Sequence, residues 1–222
     1  MDVHALIPVR GGSQRVIHKN IRPFAGSTLL EIKIKQMLQV PSLSGVTVSS
    51  EDEKILEIAE RAGAAPMLRD PFYATDSVPM SEVYAYMAGQ IKCENILLTH
   101  VTNPLAGPSA YTTCLKEFHN RAPIFDSVTT VADVKEFMYW DGKPLNYDPA
   151  SKPRSQDLPN IVRLTHVASI LPRETMITRK DAVGSHPLFV RLDALDSLDI
   201  DTSLDLEIAE YLYQAYRKPT AS

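Results

Sequence analysis

The sequence predicts an α/β fold in which helices cover both faces of a mostly parallel sheet. Short β-branched or aliphatic runs alternate with amphipathic helical patterns through the first two thirds of the chain. This alternation is typical of parallel strands that are connected by helices. A glycine-bearing basic loop follows the first apolar run, and an acid-rich segment precedes the last helical pattern. Ligands of such sheets bind beyond the carboxyl ends of the strands, where we expect both segments to lie.

The expected elements follow one another in regular order. Apolar runs predict strands at 3–9, 45–50, 65–69, 95–101 and 126–132, and the periodic segments between them predict helices at 28–40, 50–63, 80–91 and 109–120. The helix at 50–63 carries the strongest signals: Ser50 is a candidate N-cap, acids fill the first turn, and Gly63 follows the last helical residue.

From about 134 to 179 the pattern changes and predicts an inserted arm. Prolines interrupt polar and aromatic residues there without a long helical period, so we expect short extended strands. A buried strand at 187–192 and an amphipathic terminal helix that begins near Thr202 or Ser203 complete the chain. The 222 residues therefore predict a single domain with an inserted arm.

Composition narrows the range of partners. The formal net charge is −4, without the clustered excess of basic residues that is typical of nucleic-acid-binding proteins. No apolar run approaches the roughly 20 residues of a membrane-spanning helix, and no secretion signal is recognisable. Cys93 and Cys114 lack the spacing of a zinc site or a disulfide framework. We therefore expect a cytoplasmic protein whose basic loop binds a small anion.

The segment IPVRGGSQRVIHKN (7–20) is a candidate phosphate site. Its glycines allow backbone N–H groups to approach phosphate oxygens, and Arg10 and Lys19 add positive charge. It matches neither the dinucleotide fingerprint nor the Walker loop, which argues against a dehydrogenase or a P-loop kinase. A solvated turn is the alternative interpretation, but the position of the loop directly after the first strand favours phosphate.

The segment DSLDIDTSLD (196–205) is a candidate metal site. Alternate side chains of an extended segment share a face, so Asp199 and Asp201 would point the same way and suit Mg²⁺. Alternatively, Asp201 and Thr202 only cap the terminal helix, and Asp205 lies in its first turn. A phosphate loop together with paired acids is what nucleotidyl transfer requires.

These motifs and the segments between them together resemble the acylneuraminate cytidylyltransferase family. ALIPVRGGSQRVIHKNIRPFAG is similar to the opening A-R-x-G-S-K-x-x-x-x-K-N segment of that family, and LLTHVTNPLAGPSAY stands where L-L-Q-P-T-S-P-L-R is usual. VSSEDEKILEIAERAGA, LRDPFYATDSVPMSEV, KPRSQDLPNIVRL and LDSLDIDTSLDLEIAE resemble further family segments in the same order. The likeness extends over nearly the whole chain. It implies a Rossmann-like nucleotidyltransferase fold of the glycosyltransferase A-like type.

The resemblance also implies an activity and a set of site residues. The family transfers CMP from CTP to an acidic acceptor, a sialic acid or a related 3-deoxy-2-ulosonic acid, with Mg²⁺ and release of pyrophosphate. Arg10, Lys19, Asp199 and Asp201 would be catalytic, and Asp199 and Asp201 would bind the metal. The CTP-binding residues would be Arg10, Gly11, Ser13, Arg15, Lys19, Asn20, Arg69, Asp76, Thr102 and Asn103. The acceptor-binding residues would be His100, Arg154, Gln156 and Arg163. The arm implies a homodimer.

The match departs from the family pattern at three segments. Gln14 stands where a lysine is common, PLAG lacks the usual arginine, and RLTHVAS replaces an N-G-A-Y-type segment that is associated with the sugar. These departures leave two alternatives open: the acceptor is a small phosphonate, or the chain is a non-catalytic nucleotide-binding relative. His100 is a candidate general base, although a lone histidine at a strand end is more often structural.

Overall fold

The structure, a computed structural model, describes residues 2–12, 16, 18–122 and 124–217. The strands are β1 (Val3–Pro8), β2 (Gly45–Ser50), β3 (Ala65–Leu68), β4 (Asn95–Leu98), β5 (Ser127–Val134), β6 (Tyr139–Trp140), β7 (Lys143–Pro144), β8 (Ile161–Pro172) and β9 (Pro187–Arg191). The α-helices are α1 (Leu29–Leu38), α2 (Glu53–Arg61), α3 (Met80–Gln90), α4 (Pro108–Arg121), α5 (Arg173–Arg179) and α6 (Ser203–Tyr216).

The main sheet is mostly parallel, which confirms the predicted fold class. Its strand order within the described residues is β3-β2-β1-β4-β8-β5-β9. Neighbouring strands are parallel except that β8 runs antiparallel to both β4 and β5. β1 lies between β2 and β4, so the strands spread from it towards both edges. This reversal of strand order creates a crevice beyond the carboxyl ends of β1 and β4, where ligands of such sheets bind.

Helices cover both faces of the sheet because its central strands are apolar on both sides. In β1, Ala5 and Ile7 pack into one buried cluster with α1, α2, α4 and α6, whereas Leu6 packs into the other with α3 and α5. Successive side chains of a strand point to opposite faces, so a strand covered on both sides is apolar throughout. This explains why the first apolar run, VHALIPV, lacks alternation.

The structure differs from the sequence prediction at the start of α2. The N-cap is Asp52, whose side chain accepts a hydrogen bond from the Lys54 amide, and not Ser50. Ser50 is the last residue of β2 and pairs with Leu68 of β3. Because Ser50 still belongs to β2, the helix cannot begin there and starts only after Asp52. At α6, in contrast, the N-cap is Thr202, which is one of the two positions that the sequence predicted.

The inserted segment is also shorter than the expected range of 134–179. β6 and β7 form a separate hairpin, and its turn residues Asp141 and Gly142 have φ values of 48° and 74°. β8, however, is a 12-residue strand inside the main sheet, and α5 follows it directly. Arg163, His166 and other polar residues interrupt the apolar pattern of β8, which is why the sequence suggested only short strands. β9, expected as a buried strand, is instead a half-exposed edge strand.

A buried lysine connects α1 to the turn that follows β4. Lys33 lies on the stripe of α1 that includes Leu29 and Met37, and its side chain is completely buried. Its Nζ donates hydrogen bonds to the Asn103 carbonyl oxygen at 2.9 Å and to the Tyr111 hydroxyl. Burial lowers the pKa of Lys33 to about 7, although nearby Asp196 and Asp199 favour the charged form.

None of the helices in the described ranges has the length and apolar content that spanning a lipid bilayer requires.

Replacing Lys33 by methionine is expected to remove a pH dependence of stability. Lysine keeps its proton up to about pH 10.5 in the unfolded chain but only up to about 7 in the folded protein. The unfolded state therefore binds more protons between these pH values, and the free energy of unfolding rises with pH. We expect wild type to gain on the order of 2 kcal/mol relative to Lys33→Met between pH 7 and 9, measured by urea denaturation.

Lys35→Met is the matched control, since Lys35 is an exposed lysine of the same helix. It should leave the pH dependence of stability as in wild type. A Lys33→Met variant that keeps the wild-type slope would show that the Lys33 ammonium is not strained by burial.

Candidate functional site

The candidate site lies at the crevice beyond the carboxyl ends of β1 and β4. Segments from distant parts of the sequence meet here: the loop after β1, the turn after β4 and the acid-rich segment before α6. The Ile200 amide donates to the Thr102 carbonyl oxygen at 3.0 Å, and the Asn103 side-chain amide donates to the Leu198 carbonyl oxygen, also at 3.0 Å. These hydrogen bonds fasten the acid-rich segment to the end of β4.

The two aspartates of the predicted metal site flank a lysine contact. Lys19 Nζ donates to the carbonyl oxygen of Ile200 at 2.5 Å, between Asp199 and Asp201 in the chain. Asp199 Oδ1 is buried and has no hydrogen-bond partner among the described residues. Asp201 is exposed to solvent. The basic loop and the acid-rich segment are thus in direct contact.

The cap of α6 does not require the side chain of Asp201. The Thr202 hydroxyl accepts a hydrogen bond from the Asp205 amide, and the Asp205 carboxylate accepts from the Thr202 amide, which together form a capping box. The amide of Asp201 also donates to Asp205 Oδ2 at 3.1 Å. The alternative interpretation is therefore correct for Thr202 and Asp205, but the Asp201 carboxylate is not the capping group.

The described part of the basic loop is organised by carboxylates. Arg10 Nη1 lies 2.5 Å from Asp76 Oδ1, and the Gly11 amide donates to Glu51 Oε1 at 2.8 Å. A Cβ atom at Gly11 would lie 2.8 Å from Asp52 Oδ2, so a larger residue would require the Asp52 side chain to move. Predicted contacts from Ser13 and Arg15, and the substitution at Gln14, lie outside the described residues.

Two further predicted residues hold the backbone at this end of the sheet. The Asn20 side-chain amide donates to the Arg10 carbonyl oxygen at 3.0 Å. Arg69 is buried and donates to the Ser49 carbonyl oxygen at 2.6 Å. Desolvation lowers the pKa of Arg69, and the neighbouring Glu51 carboxylate opposes that shift. Arg69 therefore connects the ends of β2 and β3.

A cavity of about 180 Å³ opens beside Arg10 and Arg69. Its other walls are Tyr73, Val78, Met80 and His100, among others. Burial lowers the pKa of His100 to about 3, and the positive charge of neighbouring Lys33 and Lys19 acts in the same direction. His100 Nε2 is enclosed and lacks a hydrogen-bond partner among the described residues. The imidazole is therefore neutral and faces a partly polar cavity.

The structure separates the predicted acceptor-binding residues. Arg163 Nη2 donates to the Ser197 carbonyl oxygen at 3.2 Å and so contacts the acid-rich segment. Arg154 is instead paired with Asp157 at 2.7 Å and is largely exposed. Gln156 is exposed in the same short 3₁₀ turn. Neither Arg154 nor Gln156 has a described hydrogen bond to the site.

Sequence reasoning missed several residues that organise the site. Lys33 occupies a buried stripe of α1, and its spacing of four residues from Leu29 and from Met37 was the signal that could have revealed it. The Glu51 carboxylate accepts a hydrogen bond from the Gly11 amide, but in the sequence Glu51 is one of several acids at the start of a predicted helix. His166 lies in the RLTHVAS segment, and only the departure from the family pattern pointed to it.

Comparisons with known proteins agree with this architecture. The model of the family described as cytidylyltransferase matches residues 4–214. The pseudaminic acid cytidylyltransferase of Campylobacter jejuni is 27% identical over 94% of this chain and 95% of its own length. The CMP-N,N'-diacetyllegionaminic acid synthase of Legionella pneumophila is 26% identical over 96% of this chain and 97% of its own.

Solved structures share the fold at low sequence identity. A CMP:2-keto-3-deoxy-manno-octonic acid synthetase in complex with CTP superposes with a TM-score of 0.74 at 14% identity, over 97% of this chain and 99% of that one. A 4-diphosphocytidyl-2C-methyl-D-erythritol synthase from Anaerococcus prevotii gives a TM-score of 0.70 at 12% identity, over 96% of each chain. Because the family model spans nearly the whole chain, this protein belongs to the cytidylyltransferase family.

Proposed function

We propose that this protein is a Mg²⁺-dependent enzyme that transfers CMP from CTP to a 3-deoxy-2-ulosonic acid of the sialic acid type. The contact of Lys19 with the backbone between Asp199 and Asp201 is the observation that carries the proposal. It joins a basic loop suited to a triphosphate to a pair of carboxylates suited to a cation. The names of the Campylobacter and Legionella relatives support an acidic sugar as the acceptor.

The nucleotide would bind on the side of the crevice formed by β1, β2 and β3. The basic loop would hold the phosphates, and the cavity beside Arg69 and Tyr73 would hold the base. Arg10 would exchange its contact with Asp76 for a phosphate oxygen. This exchange costs little, because both side chains are considerably exposed and exposed ion pairs contribute little to stability.

The aspartate pair fits Mg²⁺. Asp199 Oδ1 is a buried carboxylate oxygen without a hydrogen-bond partner among the described residues, as expected of a group that binds a cation. In the described part of the chain, no group of three or more histidine, cysteine or acidic side chains is arranged to hold a metal. Mg²⁺ is usually held by one or two carboxylates together with substrate phosphates and water, so two aspartates suffice. When bound, the metal would neutralise phosphate charge.

The chain's own residues would position the substrates and stabilise charge. The acceptor oxygen forms a bond to the α-phosphorus of CTP, the bond to the β-phosphate oxygen breaks, and pyrophosphate leaves while the acceptor proton passes to solvent. Arg10 and Lys19 would stabilise the negative charge that develops on the phosphates. The low pKa of His100 makes it a weak base, so we do not assign it the role of general base.

A homodimer is part of the same proposal. The hairpin of β6 and β7 exposes large aromatic side chains, since Tyr139 is 61% and Trp140 is 75% accessible. Aromatic residues are enriched at protein interfaces, so the hairpin is the expected contact with a second copy.

The first test is pyrophosphate release with CTP, Mg²⁺ and a panel of acids. N-acetylneuraminic acid, pseudaminic acid, N,N'-diacetyllegionaminic acid, 2-keto-3-deoxy-manno-octonic acid and hydroxymethylphosphonate are supplied in turn. Release with at least one sugar acid and dependence on Mg²⁺ are expected. Release with the phosphonate alone would reassign the acceptor, and no release with any acid would favour a non-catalytic nucleotide-binding relative.

Asp201→Ala and Thr202→Ala are expected to affect different properties: turnover in the first variant and stability in the second. Loss of the Asp201 carboxylate should lower turnover at least about 100-fold, as removal of a charge-stabilising group does, while the protein still folds. Loss of the Thr202 cap should lower the free energy of unfolding by about 1 kcal/mol and leave turnover nearly unchanged. Pyrophosphate release and urea denaturation measure both variants. Normal turnover by Asp201→Ala would exclude Asp201 from the metal site.

Arg10→Ala and Arg163→Ala should separate the nucleotide side from the acceptor side. Arg10→Ala is expected to raise the KM for CTP by about 10-fold to 100-fold with every acceptor, the range for losing a hydrogen bond to a charged group. Arg163→Ala should instead alter the KM of the acid, by amounts that differ between acids. Steady-state kinetics with varied CTP and varied acid measure these effects. Identical effects of both variants would contradict the division.

A further inference from the structure

The turn after β4 is held in place by donors that come from other parts of the chain. The carbonyl oxygens of residues 102 to 105 each accept a hydrogen bond from a group that is distant in the sequence. The donors are, in order, the Ile200 amide and the side chains of Lys33, Gln36 and Arg217, at distances of 3.0, 2.9, 2.6 and 2.9 Å. Backbone groups away from water need such partners, so these four donors fix the path of the turn.

Arg217 bonds the turn and the acid-rich segment at the same time. Its Nε donates to the Leu105 carbonyl oxygen at 2.9 Å, and its Nη2 donates to Asp196 Oδ1 at 2.6 Å. Leu105 belongs to the turn, and Asp196 is the first residue of the acid-rich segment. A single guanidinium group at the end of α6 therefore connects two of the segments that meet at the crevice.

The geometry of this contact is stricter than that of an exposed ion pair. A guanidinium group is planar, so the N–H groups of Nε and Nη2 point in fixed directions and hold two acceptors at a fixed spacing. The Arg217 side chain is 33% exposed and that of Asp196 is 18% exposed, so solvent screens this pair less than it screens a fully exposed one. An ammonium group on a flexible stem could supply the charge but not the fixed spacing.

The positions of several predicted site residues depend on these two segments. Thr102 and Asn103 lie in the turn, and Asp199 lies between two residues that the turn holds by hydrogen bonds. Group transfer requires close placement of the reacting groups, and a displacement of about 1 Å can lower the rate by about 100-fold. Arg217 is not among the residues that line the cavity beside Arg10. It would therefore act on the reaction through the turn and the acid-rich segment.

We propose that Arg217 is a positioning residue for CMP transfer, because its guanidinium group fixes the turn after β4 against the acid-rich segment and so places Asp199 at the crevice. This inference rests on the proposed function and adds to it. Arg217 contacts neither CTP nor the acceptor. Its effect on turnover comes from the spacing of the groups that bind them.

Arg217→Ala and Arg217→Lys test this role by kinetics. Loss of the guanidinium group should lower kcat by about 10-fold to 100-fold, as misplacement of catalytic groups does. The KM of CTP and the KM of the acid should stay nearly unchanged, because stabilisation of the transition state is lost while substrate binding is kept. Arg217→Lys keeps the charge without the fixed spacing, so its kcat should lie between those of wild type and Arg217→Ala. A wild-type kcat in either variant would overturn the proposal.

Arg173→Ala is the matched control for the loss of a partly buried arginine. Arg173 Nε donates to the Ala88 carbonyl oxygen at 2.9 Å, its guanidinium group pairs with Glu174, and its side chain is 25% exposed. These contacts join the start of α5 to α3, outside the crevice. Both alanine variants should lower the Tm by similar amounts, but Arg173→Ala should keep the wild-type kcat. An equal loss of kcat in both variants would overturn the proposal by making lower stability the cause.

Free guanidinium ion provides a second test of the same group. Arg217 lines a cavity of about 330 Å³ between α1, α6 and the start of α4, so a small ion can reach the space that Arg217→Ala leaves. We expect guanidinium chloride, at concentrations that leave wild-type turnover unchanged, to restore part of the kcat of Arg217→Ala. Sodium chloride at equal ionic strength should not restore it. Equal responses to the two salts, or no response to either, would exclude the guanidinium contacts as the cause of the loss.

Amide hydrogen exchange measures the positioning without any substrate. The Ile200 amide donates to the Thr102 carbonyl oxygen, so its exchange rate reports how firmly the acid-rich segment is held against the turn. We expect this amide to exchange faster in Arg217→Ala than in wild type or in Arg173→Ala, as followed by NMR. Exchange at the wild-type rate in Arg217→Ala would overturn the proposal even where kcat is lower.

The failure of this inference and the failure of the proposed function are distinguishable. If the Ile200 amide exchanges faster in Arg217→Ala but no acid supports pyrophosphate release by wild type, the proposed reaction fails while Arg217 still holds the two segments together. If wild type releases pyrophosphate and Arg217→Ala changes neither kcat nor exchange, the reaction stands and Arg217 has no part in it.

Discussion

The segment from Ser197 to Ile200 is held at the crevice by side chains and backbone groups from three other parts of the chain. Lys19 reaches it from the loop after β1, the turn after β4 bonds it through Thr102 and Asn103, and Arg163 reaches it from β8. Through these hydrogen bonds a segment almost 200 residues from the N-terminus is fixed against the first strand. The spacing between the basic loop and the aspartates depends on them, and so does any chemistry that requires both.

The contacts behind this segment explain why a lysine is buried beneath it. Asn103 accepts from Lys33 through its carbonyl oxygen and donates to Leu198 through its side chain, so α1, the turn and the acid-rich segment form one connected unit. Burying an ammonium group is unfavourable unless hydrogen bonds and nearby charge compensate for it. Here the Tyr111 hydroxyl, the Asn103 carbonyl oxygen and two aspartates offset part of that cost, but desolvation still lowers the pKa of Lys33 to about 7. Rigidity beneath the site is thus obtained with a polar group in the core.

Much of the fold could be predicted because local patterns and the fold agree in β1 to β5. The buried apolar strands β1, β2 and β4 and the periodic helical segments between the strands leave few alternative interpretations. The prediction failed where tertiary structure overrides local pattern. β8 is polar near its bulge, so its membership of the sheet could not be read from periodicity, and Ser50 yields to Asp52 because β2 continues through Ser50. The grouping of Lys19 with the aspartates could be predicted from the motifs. The contact between His100 and His166 could not, because it depends on how strands pair and joins residues that are 66 positions apart in the sequence.

The position of β8 also has a consequence for how the chain acquires its structure. β1, β2, β3 and β4 are complete once residue 98 has been synthesised, but the outer edge of β4 pairs only with β8, which begins at Ile161. Until then β4 presents unpaired backbone groups, and unpaired strand edges promote association between chains. More than 60 further residues must therefore be synthesised before the exposed edge of β4 can pair with β8. The late antiparallel strand makes completion of the sheet a long-range, slow event in biogenesis.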